Sequence, residues 1–188
     1  MQRFHILLLL LVACFASAVS AQTPAAAPKP DPEFKKFADH RVGHWTYEGE
    51  YKPGPLGPGG KVTGTSTYQM ILGGFFVERR DTEKDAKGVE SQDLALDGYD
   101  PVNKNFTTTE FGDDGGIYSG VFTLSGNTGT WSGKSISVAG KQYSFRGTTI
   151  YAADWMSSTN KGEVSSDGKT WVPFSEIKYT KVKPAPKK

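Results

Sequence analysis

Few residues in this chain could do chemistry, and that scarcity narrows the reaction classes at once. The single cysteine, Cys14, and the first of three histidines, His5, fall in the N-terminal segment, so His40 and His44 are the only later imidazoles. Four residues apart, those two could share one face of a helix and offer a pair of zinc ligands. Gly43 stands between them as a helix breaker and no third ligand occurs at suitable spacing, so no metal site is expected. Ser-His-Asp and Cys-His mechanisms lack material, and no Gly-x-Ser-x-Gly elbow occurs. Acid pairs remain. Asp113-Asp114-Gly115-Gly116 has turn composition, so its carboxylates read as solvated turn acids rather than a calcium site or an acid–base pair. Glu48 and Glu50 alternate with aromatics and read as solvent-facing. No catalytic residue and no cofactor are expected.

More informative are polar groups that strand alternation places indoors. Arg79 shares its parity with Phe75 and Val77, so it points inward or lies at a rim with its stem along an apolar wall. A buried arginine needs a carboxylate, an aromatic face or an anionic ligand. Tyr47, Tyr143 (with Phe145) and Tyr179 (with Trp171 and Ile177) supply further inward aromatics. Tyr47, Arg79, Tyr143 and Tyr179 are therefore the candidate ligand-binding residues, and the alternative is that they simply fill a core.

The elements that would hold them are short and mostly extended. Glu33–Val42 carries Phe34, Phe37, Ala38 and Arg41/Val42 at helical spacing and forms one short helix ended by Gly43, a lid or plug for a barrel opening. From Gly43-His44-Trp45 onward the period is two, with Trp45, Tyr47, Gly49 and Tyr51 opposite Thr46, Glu48 and Glu50. Pro53–Gly60 is a loop. Strands are expected over His44–Lys52, Lys61–Ile71, Gly74–Asp81, Ser91–Tyr99, Lys104–Gly112, Ile117–Leu124, Gly129–Lys134, Ser135–Val138, Lys141–Tyr151, Trp155–Ser165 and Lys169–Lys181. With Gly129–Lys134 and Ser135–Val138 contiguous, these segments amount to about nine or ten strands. Their hairpin-length connections predict an all-β, antiparallel up-and-down barrel with one short N-terminal helix. A β-sandwich is the alternative, but its long crossovers are not evident. Trp45 is expected to close the barrel as packing.

The ends of the chain carry other signals. Arg3, the apolar run Ile6–Ala13 and Val19-Ser20-Ala21 before Gln22 read as a cleaved signal peptide at residues 1–21. A flexible linker is expected at 22–32, then the barrel domain at 33–182 and a basic tail at 183–188. The expected location is periplasmic or secreted. Leu11-Val12-Ala13-Cys14 also resembles a lipobox, and lipidation of Cys14 would instead anchor the protein to a membrane. The formal charge is +2, yet Arg3 and the four lysines of 181–188 supply more than all of it, leaving residues 22–180 net acidic. That distribution argues against nucleic acid as a partner and leaves contact between tail and membrane surface as the only basic option.

Three motifs carry a family resemblance: Ile71-Leu72-Gly73-Gly74-Phe75-Phe76-Val77-Glu78, Gly98-Tyr99-Asp100-Pro101 and Ser166-Asp167-Gly168-Lys169-Thr170-Trp171. Over roughly Phe34 to Val182 they resemble an uncharacterised family of exported bacterial domains of unknown function. Gly43-His44-Trp45 is similar to the Gly-x-Trp entry of calycin (lipocalin- and nitrobindin-like) barrels. The resemblance implies a barrel around a small-molecule cavity, with no established activity. It also implies a basic residue of the last strand packed over the entry tryptophan, where this chain has Lys178 and Lys181 in place of arginine. Nitrobindin-like barrels hold haem through a histidine, and with only His40 and His44 here histidine-ligated haem is disfavoured. The function expected is binding of a small, largely apolar molecule. A non-catalytic envelope interaction module is the alternative, and a hydrolase or isomerase is the remote one.

Overall fold

The computed structural model describes residues 27–184; the leader read at 1–21, with Cys14, the first part of the linker and the last four residues lie outside them. Helix α1 (Pro32–Arg41) begins where Asp31 accepts a hydrogen bond from Glu33 N–H at 2.8 Å and Pro32 occupies the first turn, where its missing N–H costs nothing. It ends as Val42 turns extended and donates its N–H to Ala38 O, and Gly43 then takes φ 126°, where side-chain-bearing residues are disfavoured.

Ten strands come after the helix: β1 (Gly43–Tyr51), β2 (Gly60–Ile71), β3 (Phe76–Asp85), β4 (Glu90–Asp100), β5 (Asn105–Gly112), β6 (Ile117–Ser125), β7 (Thr128–Ile136), β8 (Gln142–Tyr151), β9 (Ser157–Ser165) and β10 (Val172–Lys181). Each pairs antiparallel with its sequence neighbours, and β10 returns to β1 from Trp45↔Lys181 to Tyr51↔Ser175. The result is the closed up-and-down barrel expected, with no free edge.

Three details depart from the strand expectations. Ser135–Val138 is not a separate strand: β7 runs through Ile136, and Ser137–Lys141 is a hairpin turn closed by Gly140 N–H to Ser137 O. The third strand starts at Phe76, because Leu72–Gly74 forms a 3-10 turn with Leu72, Gly73 and Gly74 all at positive φ, and it runs on to Asp85. Trp171 does not face inward with Ile177 and Tyr179. The β9–β10 register slips between Pro173 and Ser175, which reverses parity upstream, and Trp171 lies beneath the Arg146 guanidinium at 4.3 Å.

One end of the barrel is filled by α1. Phe34, Phe37 and Ala38 are buried in one cluster with Trp45, Tyr68, Val77, Phe106 and Tyr151. Phe37 lies 4.5 Å from the Phe106 ring centroid, and His40 stacks on Trp155 at 4.4 Å. Trp45, only 3% exposed, ties the helix to the barrel: its indole N–H donates to Arg41 O at 2.8 Å. The Lys181 ammonium sits 5.5 Å over the same ring and donates to His40 O at 2.7 Å. A lysine thus makes the contact over the entry tryptophan, while Lys178 is exposed. Trp45→Ala should lower the unfolding free energy by about 3–5 kcal/mol, since it removes a buried ring, a hydrogen bond and a cation–π contact together. Urea denaturation followed by circular dichroism measures this, and an unchanged midpoint would mean that α1 is held by other contacts.

Candidate functional site

Above the plug the barrel encloses a cavity of about 400 Å³ whose lining runs from Phe37 and Trp45 at the helix end to Tyr51 and Phe174 at the other. Its two sides differ in kind. Every charged strand residue of the lining comes from β3, β4 and β5: Arg79, Asp81 and Glu83, then Asp93 and Asp97, then Glu110. The lining contributed by β6 to β10 is uncharged, made of rings (Tyr118, Trp131, Phe145) and small polar groups (Thr149, Ser158, Asn160).

Register explains how each group reaches its place. Arg79, Ala95 and Glu110 sit opposite one another across β3, β4 and β5. Ala95 has no side chain beyond Cβ and is fully buried, so the Arg79 guanidinium crosses over it to bond Glu110 while its Nε meets Asp81 Oδ2 at 2.9 Å. Four residues further along β3, Tyr47, Gly64 and Glu83 align across β1, β2 and β3. A Cβ on Gly64 would overlap the Tyr47 ring; without one, Tyr47 lies across β2 and donates to Glu83 Oε2 at 3.4 Å, beside Tyr51 at 2.8 Å. The uncharged wall repeats the device. Trp131 lies over Gly147 and Gly162, and Tyr118 lies over Gly120 and Gly133.

Charge balance inside the barrel is unequal. Five carboxylates and two guanidiniums line it. Arg79 serves Asp81 and Glu110. Arg41, from the last turn of α1, is taken up by the plug: it donates to Tyr151 Oη at 3.0 Å and to Tyr68 Oη, with its guanidinium 4.3 Å over the Tyr68 ring. Burial works against the Arg79 charge, but Asp81 and Glu110 outweigh it and hold the group charged. The carboxylates move the other way. Burial, then the repulsion of Glu110 and Asp81, pushes Asp93 up to about 7. Burial raises Glu83 despite the hydrogen bonds from Tyr51 and Tyr47, and it raises Glu110 despite Arg79.

Of the residues singled out in the sequence, Tyr47, Arg79 and Tyr179 line the cavity, as does Trp45 at its floor. Tyr143 does not; it sits at the far rim, its hydroxyl 3.4 Å from Pro55 O. His44 faces outward to Thr67 Oγ1 at 3.1 Å, apart from His40 on α1. Asp113 accepts the Gln92 N–H of β4 at 2.8 Å, and Asp114 accepts the Gly116 N–H within the turn at 2.7 Å. Sequence reasoning missed Arg41, Asp81, Glu83, Asp93, Asp97 and Glu110. The parity that placed Arg79 inside extends to Asp81 and Glu83, so those two were within reach. Asp93 and Asp97 were not, because β4 is inverted: Leu96 is exposed outside while the acids face in. Among the described residues no three His, Cys, Asp or Glu side chains converge to hold a metal ion, since the acids are spread along the wall.

Residues 30–181 match a family described as a protein of unknown function (DUF1579). No curated protein matches the chain. Among solved structures, the crystal structure of Rv2717c from M. tuberculosis superposes with a TM-score of 0.61, covering 82% of this chain and 100% of that one at 10% sequence identity. At that identity the likeness is one of fold.

The raised carboxylates have a consequence for stability. A folded pKa of about 7 for Asp93, above its unfolded value, means that the native state holds the extra proton between about pH 4 and 7. Stability contributed by that proton is present at acid pH and lost as pH rises through 7, with Glu83 and Glu110 acting in the same direction. Asp93→Asn should therefore be more stable than the parent at pH about 8, by about 1–2 kcal/mol after allowance for solvent in the lumen, and the gap should close near pH 4. Thermal unfolding across that range measures it, and an Asn variant that is less stable at pH about 8 would contradict the reading.

Proposed function

We propose that this chain, which belongs to the DUF1579 family of proteins of unknown function, works as a calycin-like carrier barrel that binds a small molecule with a largely apolar body and performs no reaction on it. One observation carries the reading: a cavity of about 400 Å³ inside the barrel, lined by rings and a few polar groups. That volume falls within the usual range of small-molecule sites, and the mix of rings with a few oriented polar groups is their usual chemistry. α1 seals one end, so entry is from the end bearing Tyr51 and the loop 53–59.

The absence of enzymatic chemistry rests on the residues present. Among the described residues His40 and His44 stay out of the lumen, and no lining carboxylate is hydrogen-bonded to a serine or threonine hydroxyl. Export through the leader at 1–21 suits such a carrier, and lipidation at Cys14 would place the same barrel at a membrane surface. In either case the binding site is the lumen, framed by Tyr47, Arg79 and Tyr179 over a floor of Trp45.

The neutral fluorophore N-phenyl-1-naphthylamine should bind saturably, one per chain, with enhanced emission. Thr149→Phe, which projects a ring into the lumen from β8, should abolish that signal while leaving the circular dichroism spectrum unchanged. Emission that rises without saturation, or equally in the Phe variant, would defeat the reading.

A further inference from the structure

Resting on the lumen as the binding site, we infer that its occupant carries a cationic head, an alkyl- or arylammonium, held against the β3–β5 wall with its apolar body on the rings of β6–β8. Three observations support this, and they are independent of one another.

The first is charge. Among the described residues Arg79 is the only base ion-paired with the acidic wall, shared by Asp81 and Glu110, while Asp97 also lies in the field of Arg41. Asp93 and Asp97 form no ion pair among the described residues, and Arg41 is held in the plug by two tyrosine hydroxyls and a ring. An additional cation in the lumen meets carboxylates that lack a base, whereas an additional anion meets like charge along three strands.

The second is the polar inventory. Five buried atoms of lining residues lack a hydrogen-bond partner: Asp81 Oδ1, Thr108 Oγ1, Trp131 Nε1, Arg41 Nε and Arg79 Nε, the last in ion-pair reach of Asp81 Oδ2 at 2.9 Å. Buried polar atoms are rarely left so; Asp81 Oδ1 accepts and Thr108 Oγ1 can accept from the N–H groups of an ammonium, while the three nitrogens are donors.

The third is the uncharged wall. Tyr118, Trp131 and Phe145 present ring surface to the lumen, and glycines beneath the rings (Gly120 and Gly133 for Tyr118, Gly147 and Gly162 for Trp131) leave room for them to lie along the wall. Ring faces attract cations and also bury aliphatic or aromatic bodies, so this wall accommodates either part of the molecule. A bare metal ion would find no convergent ligand set here, whereas an organic cation can spread its contacts along the wall.

Three probes of one chain length separate the outcomes: octylammonium, octanol and octanoate, each titrated calorimetrically without a competing dye. At pH about 8, octylammonium should bind at least about tenfold tighter than octanol, with octanoate weakest. Lowering the pH to about 5.5 should erase most of that advantage. Asp93 is then protonated, and the groups that act on it are Glu110 on β5, Asp81, Arg79 and Glu83 on β3, and the Tyr47 hydroxyl on β1. The double variant Asp93→Asn/Asp97→Asn should lose octylammonium preference at pH about 8 and keep its octanol affinity. Equal affinities for the three, or octanoate binding best, overturn the cationic head and leave the lumen as an apolar or anion site. Binding of none of them, together with failure of N-phenyl-1-naphthylamine, overturns the binding lumen itself.

Discussion

The interior of this barrel depends on one steric relationship, an aromatic ring lying across a glycine of the next strand. Ten strands close around more space than side chains pointing straight at the axis need to fill. The space left in the middle is then decided by whether rings stand up or lie down. Gly64 lets Tyr47 lie down across β2, Gly147 and Gly162 do the same for Trp131, and Gly120 and Gly133 for Tyr118. Any Cβ at these positions forces the ring toward the axis or the backbone apart. The glycines therefore both keep the lumen open and aim hydroxyls sideways, as the Tyr47 contact with Glu83 illustrates.

Ala95 extends the same principle to charge. It separates Arg79 from Glu110 by one strand, and because it is small the guanidinium spans β4 instead of turning away from it. A single arginine thereby restrains acids on two strands, and the wall tolerates five carboxylates at the cost of protonation shifts in three. Removing Arg79 would leave Asp81 and Glu110 buried without a base, a far greater penalty than the pair itself is worth.

The sequence disclosed the container far better than the lining. The change of period at Gly43-His44-Trp45, the helix before it and the hairpin-length spacing after it sufficed for the barrel, because those features express local sterics and alternation. The three family motifs lie at turns and strand ends: positive φ at Leu72–Gly74, the Asp100 cap, and Asp167, whose carboxyl is held well below its ordinary value by N–H bonds from Thr170 and Lys169. They report on the scaffold. The lining escaped for two physical reasons. On β4 apolar Leu96 faces out and acids face in, which reverses the usual rule for a sheet with one wet face. On β10 the slip between Pro173 and Ser175 changes which residues point inward, so Phe174 and Ser175 both reach the lumen and Trp171 does not.

These two irregularities belong to one arrangement. A lumen lined as an ordinary core would fill and close, so a barrel that keeps a cavity must place polar groups inside and move some apolar ones outside. Inverting β4 puts the acids inside without lengthening any loop. The slip in β10 leaves room for Phe174 against Tyr51 and Phe145 at the far end while Ile177 and Tyr179 hold their rows. The plug confines the result: with α1 fixed by Trp45 and Lys181, Arg41 is drawn into the floor and its charge is satisfied by tyrosines there. Positive charge is thus set at the sealed end, and the carboxylates without a base lie along the wall above it. The polarity of the lumen derives from how the barrel is closed, and that polarity is what would orient a charged guest within it.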